Sequence, residues 1–236
     1  MDPLVTNGGD VRLPRPVDYP EPPVKVIAVP VKSLSEAKSR LSPALSPLER
    51  GALTLAMLED VLDAAALPGW DTWVISPDEA VLEVAVRRGI RTIVEEKPPL
   101  ANAVRQVDAE ATEAGAEALA VLLADTALVT PDALTRAIHT LGPIVLAPDE
   151  DEVGTNLLLR RPPTAIGARF GSESFRKHVE AAALADLPVA IAHIPELAFD
   201  LDAPGDILTL LRTRREGRTR EVCLAMDLRS RIQVHT

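Results

Sequence analysis

The feature that most constrains the fold is a regular alternation between short apolar runs and segments with apolar residues at helical spacing. The runs are rich in Val, Ile, Leu and Ala, and they cover residues 24–29, 71–76, 90–95, 118–124 and 143–148. The segments between them predict helices over residues 48–66, 78–88, 101–114 and 131–140. Strands that alternate with helices favour βαβ units, so we expect an α/β fold in which helices flank a mixed, mostly parallel sheet.

The pattern changes after residue 148. An acidic loop leads into a short apolar run at residues 157–159, followed by a predicted helix over 175–184, a strand over 189–194 and a helix over 204–215. Residues 1–23 contain six prolines, and residues 212–220 contain five arginines. Such a charge run is typical of a solvated helix end, or less often of a contact for a partner or a phosphate. We therefore predict a loose Pro-rich N-terminal arm (1–23), one domain (24–211) and an Arg-containing C-terminal extension (212–236).

The charge balance limits the kinds of partner. Asp and Glu number 35 against 25 Lys and Arg, a net charge of −10, which argues against binding a nucleic acid by charge. The single cysteine, Cys223, excludes an intramolecular disulfide framework and a Cys-rich zinc site. No secretory signal pattern is visible and no apolar run approaches the ~20 residues of a membrane helix, so we expect a cytoplasmic protein with no membrane partner. A homodimer is compatible with the sheet, although no long apolar stripe marks an interface.

Three cations follow the first predicted strand: Lys32, Lys38 and Arg40. Sheets of this type bind ligands beyond the carboxyl ends of their strands, where such a cluster suits an anion like a triphosphate. The alternative is ordinary surface charge. Neither a Walker A motif nor a dinucleotide-binding glycine motif is present, so a nucleotide would have to be held in another way.

Three carboxylates follow other predicted strands. Asp125 comes directly after the run 118–124, and Asp200 and Asp202 follow the last predicted strand. In an extended segment the side chains at 200 and 202 point to one face. Converging carboxylates suit Mg²⁺, which prefers oxygen ligands and also binds substrate phosphates. The alternatives are a turn residue at Asp125 and a helix cap at Asp202.

A further group lies at residues 154–156 (Gly-Thr-Asn) and 169–174 (Arg-Phe-Gly-Ser-Glu-Ser). Glycines let backbone N–H groups approach an anion, and hydroxyls at a helix N-terminus add donors. Ser172 and Ser174 are alternatively plain helix caps. The four histidines show no metal-ligand spacing, so we expect surface or core positions for them, with His178 the one nearest to this segment in sequence.

Seven segments occur in a fixed order: 29–32 (VPVK), 37–41 (AKSRL), 56–62 (AMLEDVL), 124–125 (AD), 154–156 (GTN), 169–175 (RFGSESF) and 200–204 (DLDAP). In this order they resemble the 2-phospho-L-lactate guanylyltransferases, which in bacteria include phosphoenolpyruvate guanylyltransferases. These enzymes act in the biosynthesis of the deazaflavin coenzyme F420. The resemblance covers residues 24–211, and it is the ordered set rather than any one segment that makes it specific.

The resemblance implies a nucleotidyltransferase fold of the sugar-phosphate nucleotidyltransferase type. It also implies a Mg²⁺-dependent reaction that joins GTP to a phosphorylated three-carbon acid and releases pyrophosphate. The implied roles are triphosphate binding and catalysis for Lys38, Arg40 and Asp125, acid binding for Lys32, Thr155, Gly171 and Ser174, and Mg²⁺ binding for Asp125, Asp200 and Asp202.

The chain departs from the family pattern in three places, one of which is Leu123, where the family often has part of a Pro or Gln-Gly pair. Thr126 and Ala127 follow the central aspartate where the family usually has Leu-Pro, and residues 100–102 read Leu-Ala-Asn where Gly-Leu-Asn is common. Two alternatives therefore stay open. One is a nucleotidyltransferase of the same fold with another nucleotide or acceptor, such as CTP with a sugar phosphate, or 3-phosphoglycerate. The other is a non-catalytic subunit that binds a nucleotide.

Overall fold

The computed structural model describes residues 24–233, so the predicted arm over residues 1–23 lies outside the described residues. In this part of the chain the strands are β1 (Lys25–Pro30), β2 (Asp71–Ser76), β3 (Arg91–Val94), β4 (Ala118–Leu122), β5 (Ile144–Pro148), β6 (Thr155–Arg160) and β7 (Val189–Ile191). The helices are α1 (Pro47–Ala65), α2 (Glu79–Arg87), α3 (Leu100–Glu113), α4 (Pro131–Ile138), α5 (Ser174–Leu184), α6 (Pro195–Ala198), α7 (Pro204–Arg212), α8 (Arg218–Ala225) and α9 (Leu228–Gln233).

The elements predicted before residue 148 are all present, and their ends differ from the predicted ends by no more than two residues. The later part of the chain follows the prediction less closely. The strand predicted over 189–194 ends at Ile191, and Pro195 then begins the single turn of α6. Pro at the first turn suits a helix start, because its missing N–H has no partner there in any case.

The strands form one seven-stranded sheet in the order β3-β2-β1-β4-β6-β5-β7. β6 runs antiparallel to β4 and to β5, and the other neighbouring pairs are parallel. The prediction of a mixed, mostly parallel sheet is confirmed. Because β1 and β4 are parallel neighbours, with Ala28 beside Val121, their carboxyl ends meet at one edge. β6 starts at that same edge, since Leu122 near the end of β4 pairs with Leu157 near the start of β6.

Helices cover both faces of the sheet. Ile27 and Val29 of β1 pack with residues of α1, whereas Val26 and Ala28 pack with residues of α3 on the opposite face. Consecutive side chains of a strand point to opposite faces, so a strand that is covered on both faces must be apolar at every position. This explains the continuous apolar runs in the sequence.

The C-terminal helices pack against the rest of the molecule. Cys223 of α8 and Leu228 and Ile232 of α9 are buried in one apolar cluster with Leu53 of α1 and Leu210 of α7. No helix among residues 24–233 is both long and apolar enough to cross a membrane. The division of the chain at residue 211 remains a prediction.

Two arginines of the run at 212–220 make contacts within the molecule, although the side chain of Arg218 is still 44% exposed. The backbone N–H of Arg218 donates to Asp60 of α1 over 2.9 Å, and its guanidinium pairs with carboxylates of α1. Arg220 donates to backbone carbonyl oxygens at the end of α7, including that of Leu211 at 3.0 Å. The run holds α8 onto its neighbours because guanidinium groups satisfy the unpaired carbonyl groups of a helix end.

Candidate active site

A cleft of about 360 Å³ opens at the carboxyl ends of β1 and β4. Its walls come mainly from residues 30–40 and 123–125, the loops that the parallel pairing of these two strands brings together. The charged side chains in the lining are Lys32, Glu36, Lys38, Arg40, Asp125 and Asp202. Five of the predicted site residues therefore share one cleft.

The ammonium group of Lys38 links two of the carboxylates. Its Nζ lies 2.9 Å from Asp125 Oδ2 and 2.8 Å from Asp202 Oδ1, and only 7% of the side chain is exposed. Burial acts to lower the pKa of Lys38, but the two carboxylates outweigh it and raise the pKa above its ordinary value. Lys38 is therefore a fixed positive charge inside the cleft.

The backbone of Lys38 is left-handed, with φ 52° and ψ 40°. Residues other than glycine seldom adopt this conformation because the Cβ atom crowds a carbonyl oxygen, which costs roughly 1–2 kcal/mol. The strain lies at the residue that makes both ion pairs, as is common at functional sites. Arg40, two residues later, stays 77% exposed, with its Nη1 3.6 Å from Asp202 Oδ2.

Asp200 and Asp202 are positioned by the residue between them. Leu201 is fully buried, and its N–H donates to the Asp125 carbonyl oxygen over 3.1 Å. This anchor brings both flanking carboxylates to Asp125, although the segment is not a strand. The alternative role of Asp202 as a helix cap is wrong, because Asp206 accepts the N–H groups of Asp202 and Ala203 at the start of α7.

The three carboxylates of Asp125, Asp200 and Asp202, called the carboxylate group below, differ in how far their negative charges are compensated. Burial is the main cause that raises the pKa of Asp200 to about 6, and the nearby charges of Asp125 and Asp202 add to it. Burial also acts to raise the pKa of Asp202, but Lys38 outweighs it and the pKa is lowered. Asp200 thus lies in an environment that disfavours its charged form and would be relieved by a further cation.

The carboxylates fit a divalent cation in part. Among residues 24–233, no group of three or more His, Cys, Asp or Glu side chains is arranged to hold a metal ion. The ammonium of Lys38 lies between Asp125 and Asp202. Asp125 Oδ1 is nevertheless buried with no hydrogen-bond partner, and Asp200 makes no ion pair within the described chain. These are hard oxygen donors of the kind that Mg²⁺ prefers.

Thr155, Gly171 and Ser174 do not line this cleft. Thr155 and Ser174 are each 2% exposed, whereas Gly171 lies on the surface with a φ of 119°, a conformation that favours glycine. The three residues form a second group, where the start of β6 meets the start of α5. Ser174 is the first residue of α5 rather than its cap, so its predicted alternative as a plain cap was wrong.

Asp149 lies between the two groups. Its carboxylate accepts the N–H of Val153 over 2.8 Å and the N–H of Gly154 over 2.7 Å, which shapes the turn that leads into Thr155. Its charge also contributes to the raised pKa of Asp200. Asp149 therefore links the turn before β6 electrostatically to Asp200.

Asn156 of β6 forms hydrogen bonds with the segment before Asp200 and with the segment before Asp125. Its side-chain Nδ2 donates to the carbonyl oxygens of Leu197 and Ala198, just before Asp200. Its own carbonyl oxygen accepts the N–H of Leu123 over 3.0 Å, just before Asp125. Asn156 holds in a fixed relation the two segments that carry the three carboxylates.

The sequence marks His178 as the histidine to test but does not assign it to the site, and the structure places it in the core beside Thr155. Its Nδ1 lies 3.0 Å from Thr155 Oγ1, and its Nε2 accepts the backbone N–H of Arg169 over 2.8 Å. The spacing offered a signal, since Ser174 and His178 are four residues apart on a helix and so share a face. Burial lowers the pKa of His178 to about 4, and the charges of Arg160 and Arg169 contribute.

A family model described as "Guanylyl transferase CofC like" matches residues 24–232. The chain belongs to this family. The match continues beyond residue 211, where the resemblance in the sequence ended, and includes α8. The expectation of a guanylyltransferase enzyme is confirmed.

Relatives within this family carry different acceptor names. A phosphoenolpyruvate guanylyltransferase of Sphaerobacter thermophilus is 41% identical over 187 residues, 77% of this chain and 90% of the relative. A 3-phospho-D-glycerate guanylyltransferase of Phenylobacterium zucineum is 34% identical over 203 residues, 83% and 92% of the two chains. A 2-phospho-L-lactate guanylyltransferase of Halomicrobium mukohataei is 35% identical over 186 residues, 79% and 85%.

Solved structures confirm the nucleotidyltransferase fold. A protein of Desulfovibrio desulfuricans described as a nucleotide-diphospho-sugar transferase has a TM-score of 0.70 at 19% identity, over 89% of this chain and 97% of that one. A 4-diphosphocytidyl-2C-methyl-D-erythritol synthase has a TM-score of 0.55 at 18% identity, over 79% and 97%. At identities of 19% and 18%, these two matches show a shared fold and nothing further.

Proposed function

We propose that this guanylyltransferase transfers GMP from GTP to phosphoenolpyruvate or 2-phospho-L-lactate, in the biosynthesis of coenzyme F420. The observation that carries the proposal is the cleft in which Lys32, Lys38 and Arg40 face the carboxylates of Asp125 and Asp202. Relatives that match more than three quarters of the chain and are named for these two acceptors support the choice of substrates.

The reaction makes one bond and breaks one. A phosphate oxygen of the acid attacks the α-phosphorus of GTP, the bond between the α-phosphorus and the bridging oxygen breaks, and pyrophosphate leaves. The attacking group is already an anion, so no strong general base is needed. Catalysis then consists of positioning two anions in line and compensating their charge.

The cations of the cleft supply this compensation. Arg40 is exposed at the mouth, where it would bind the triphosphate, and Lys32 is exposed there as a cation for the acid, while Lys38 is buried and fixed close to the carboxylates. Charge held in place before the reaction stabilises developing charge without having to reorganise. Three cations in one cleft also make an anion site on a protein whose net charge is −10.

Asp125, Asp200 and Asp202 would hold Mg²⁺. The unpartnered Asp125 Oδ1 and the raised pKa of Asp200 are the features that favour it. When bound, Mg²⁺ supplies charge neutralisation at the phosphate oxygens. Lys38 keeps Asp125 and Asp202 from repelling each other and so preserves the shape of the carboxylate group.

Lys32, Thr155, Gly171 and Ser174 are proposed to bind the acid. Lys32 lines the cleft, whereas Thr155, Gly171 and Ser174 lie outside its lining, at the start of β6, at the start of α5 and in the segment before it. A cytoplasmic location and a homodimer remain predictions from the sequence.

A second acceptor has a specific observation in its favour. The match to the 3-phospho-D-glycerate guanylyltransferase covers 83% of this chain, a larger share than the other two relatives cover. The three acids differ in a double bond or in the position of a phosphate, which a few atoms of the site can distinguish.

The test is pyrophosphate release with Mg²⁺ and GTP, with each of the three acids offered separately. We expect release with phosphoenolpyruvate or 2-phospho-L-lactate, and a loss of at least about 100-fold in Asp125→Asn. Asp71→Asn is the matched control, since Asp71 is exposed at the opposite edge of the sheet and should leave the rate unchanged.

Each other outcome points to a different function. Release with 3-phosphoglycerate alone would replace the proposed acceptor. Tight GTP binding without release from any acid would favour the non-catalytic subunit. Release with CTP and a sugar phosphate, but not with GTP, would contradict the choice of nucleotide.

A further inference from the structure

His178 is a fully buried histidine to which the proposed mechanism assigns no role. Its ring lies between the start of β6 and the segment before α5, and the edge of the Phe170 ring packs on it with centroids 5.1 Å apart. Burying an imidazole costs solvation free energy that a leucine or phenylalanine at the same position would not lose. The two hydrogen bonds of the ring therefore suggest a reason for a histidine here.

The two bonds determine the tautomer of the ring. The backbone N–H of Arg169 is always a donor, so Nε2, 2.8 Å away, must be an acceptor without a proton. A neutral imidazole then carries its proton on Nδ1 and donates it to Thr155 Oγ1, 3.0 Å away. Arg160 and Arg169, the charged groups near the ring, oppose a second proton.

The tautomer in turn determines what the Thr155 hydroxyl can do. Its oxygen accepts from His178, so its own hydrogen is left to be donated. The described residues 24–233 supply Thr155 Oγ1 with no hydrogen-bond partner besides His178. Thr155 is 2% exposed, and a buried donor without an acceptor is unfavourable unless a ligand provides one. An anionic oxygen of a phosphate or carboxylate is the strongest acceptor for it.

His178 also connects parts of the chain that are distant in sequence. Through Arg169 it holds the segment 169–174, and through Thr155 it holds the first residue of β6. The next residue, Asn156, holds the segment that leads to Asp200. The ring thus forms part of a continuous path of hydrogen bonds and chain from the 169–174 segment to the carboxylates.

We propose that His178 is the positioning residue of the acid-binding half of the site. It presents Thr155 as a hydrogen-bond donor to the acid and holds the 169–174 segment against β6. This inference rests on the proposed function, in which Thr155, Gly171 and Ser174 bind the acid.

Two substitutions at His178 separate its two bonds. In His178→Gln the side-chain oxygen reaches the place of Nε2 and still accepts from Arg169, but the donor to Thr155 is lost. In His178→Asn the side-chain nitrogen keeps a donor near Nδ1, but the acceptor for Arg169 is lost. Thr155→Val removes the hydroxyl with little change of shape, so the test does not depend on His178 variants that fail to fold. His139→Gln is the matched control, at an exposed histidine of the chain.

The readout is the pair of KM values for the acid and for GTP in steady-state kinetics. We expect Thr155→Val and His178→Gln each to raise the acid KM about tenfold while the GTP KM stays within about twofold. His178→Asn should raise the acid KM less, and Thr155→Ser should remain near the wild type. The double variant Thr155→Val/His178→Gln should be no worse than Thr155→Val alone, because both changes remove the same bond.

Three outcomes would overturn the inference. One is an unchanged acid KM in both Thr155→Val and His178→Gln. Another is an equal rise of both KM values, which a general distortion of the site would cause. The last is a histidine proton–nitrogen correlation spectrum of the wild type in which Nε2 of His178 carries the proton.

Turnover by the wild type separates this inference from the proposed function. If the wild type turns over none of the three acids, the proposed function fails and the role of His178 in acid binding fails with it, even where the spectrum shows the expected tautomer. If the wild type is active and only the variants behave unexpectedly, the proposed function stands and the inference alone is wrong.

Discussion

At the scale of single residues, Lys38 decides the character of the cleft. Asp125 and Asp202 approach the same ammonium group within 2.9 Å, and without it two part-buried carboxylates would face each other with no buried countercharge. Because Lys38 is fixed by these pairs and by a left-handed backbone, its charge is in place before the substrates arrive.

We therefore expect Lys38→Met to lower kcat/KM for GTP by about 100-fold or more, measured as pyrophosphate release. Lys97→Met removes the same charge from an exposed position outside the cleft lining and should leave kcat/KM unchanged. Equal activity of the two variants would show that Lys38 only balances charge in the folded protein.

At the scale of elements, one carboxylate holds α8 onto α1. Asp60 is 5% exposed and accepts hydrogen bonds from Arg218 N, Thr219 N and Thr219 Oγ1, at 2.9, 2.9 and 2.7 Å. It caps the start of α8 from a different helix, because Gly217 has no side chain to do so. A Cβ atom at Gly217 would lie 2.8 Å from Asp60 Oδ2, so this approach requires glycine.

We expect Asp60→Asn to lower the free energy of unfolding by about 2 kcal/mol, since an amide nitrogen cannot accept these bonds. Urea denaturation followed by circular dichroism measures it. The control is Asp63→Asn on the same helix, whose side chain is 52% exposed and whose ion pairs should contribute less than about 1 kcal/mol. Gly217→Ala should destabilise in the same direction as Asp60→Asn. An equal cost at positions 60 and 63 would contradict the capping role.

At the scale of the whole molecule, His178 couples stability to pH. Its pKa is lowered to about 4 in the folded protein from an ordinary value of 6.5, first by burial and then by the charges of Arg160 and Arg169. Between these values the unfolded chain binds more protons than the folded one, so the free energy of unfolding rises with pH across this window. The contribution is complete above pH 6.5 and is lost as the pH falls to 4.

We expect this coupling to amount to about 3 kcal/mol between pH 4 and 6.5. The measurement is the unfolding free energy of the wild type minus that of His178→Gln at each pH in this range. The difference is needed because Asp and Glu side chains add their own pH dependence to both proteins. His193→Gln, at a histidine whose side chain is 64% exposed, should keep the wild-type slope. If the unfolding free energies of wild type and His178→Gln changed in parallel with pH over this range, the folded protein would carry a protonated His178.

The strands of the sheet and most of the charged residues of the cleft could be predicted from local patterns in the sequence. Apolar runs such as 118–124 predict strands because a strand covered on both faces must be apolar throughout, and Lys38 and Asp125 were placed by their position after such strands. The hydrogen bonds of Asp206 to the N–H groups just before α7, and the docking of α8 through Asp60, could not be predicted in this way, because both depend on which side chains lie near a helix start in the folded protein.

The sequence by itself therefore determined the fold class, the family and most of the charged residues in the cleft, because hydrophobic period and residue order are local properties of the chain. Only the tertiary structure decided that Lys38 lies between Asp125 and Asp202, and that Thr155 and Ser174 are buried away from the cleft. The tertiary structure also decided that the proton of His178 lies on Nδ1, because Arg169 donates to Nε2 and Thr155 accepts from Nδ1. The physical reason is that ion pairs, burial and tautomers depend on contacts between residues 9 to 164 positions apart, which no local pattern in the sequence records.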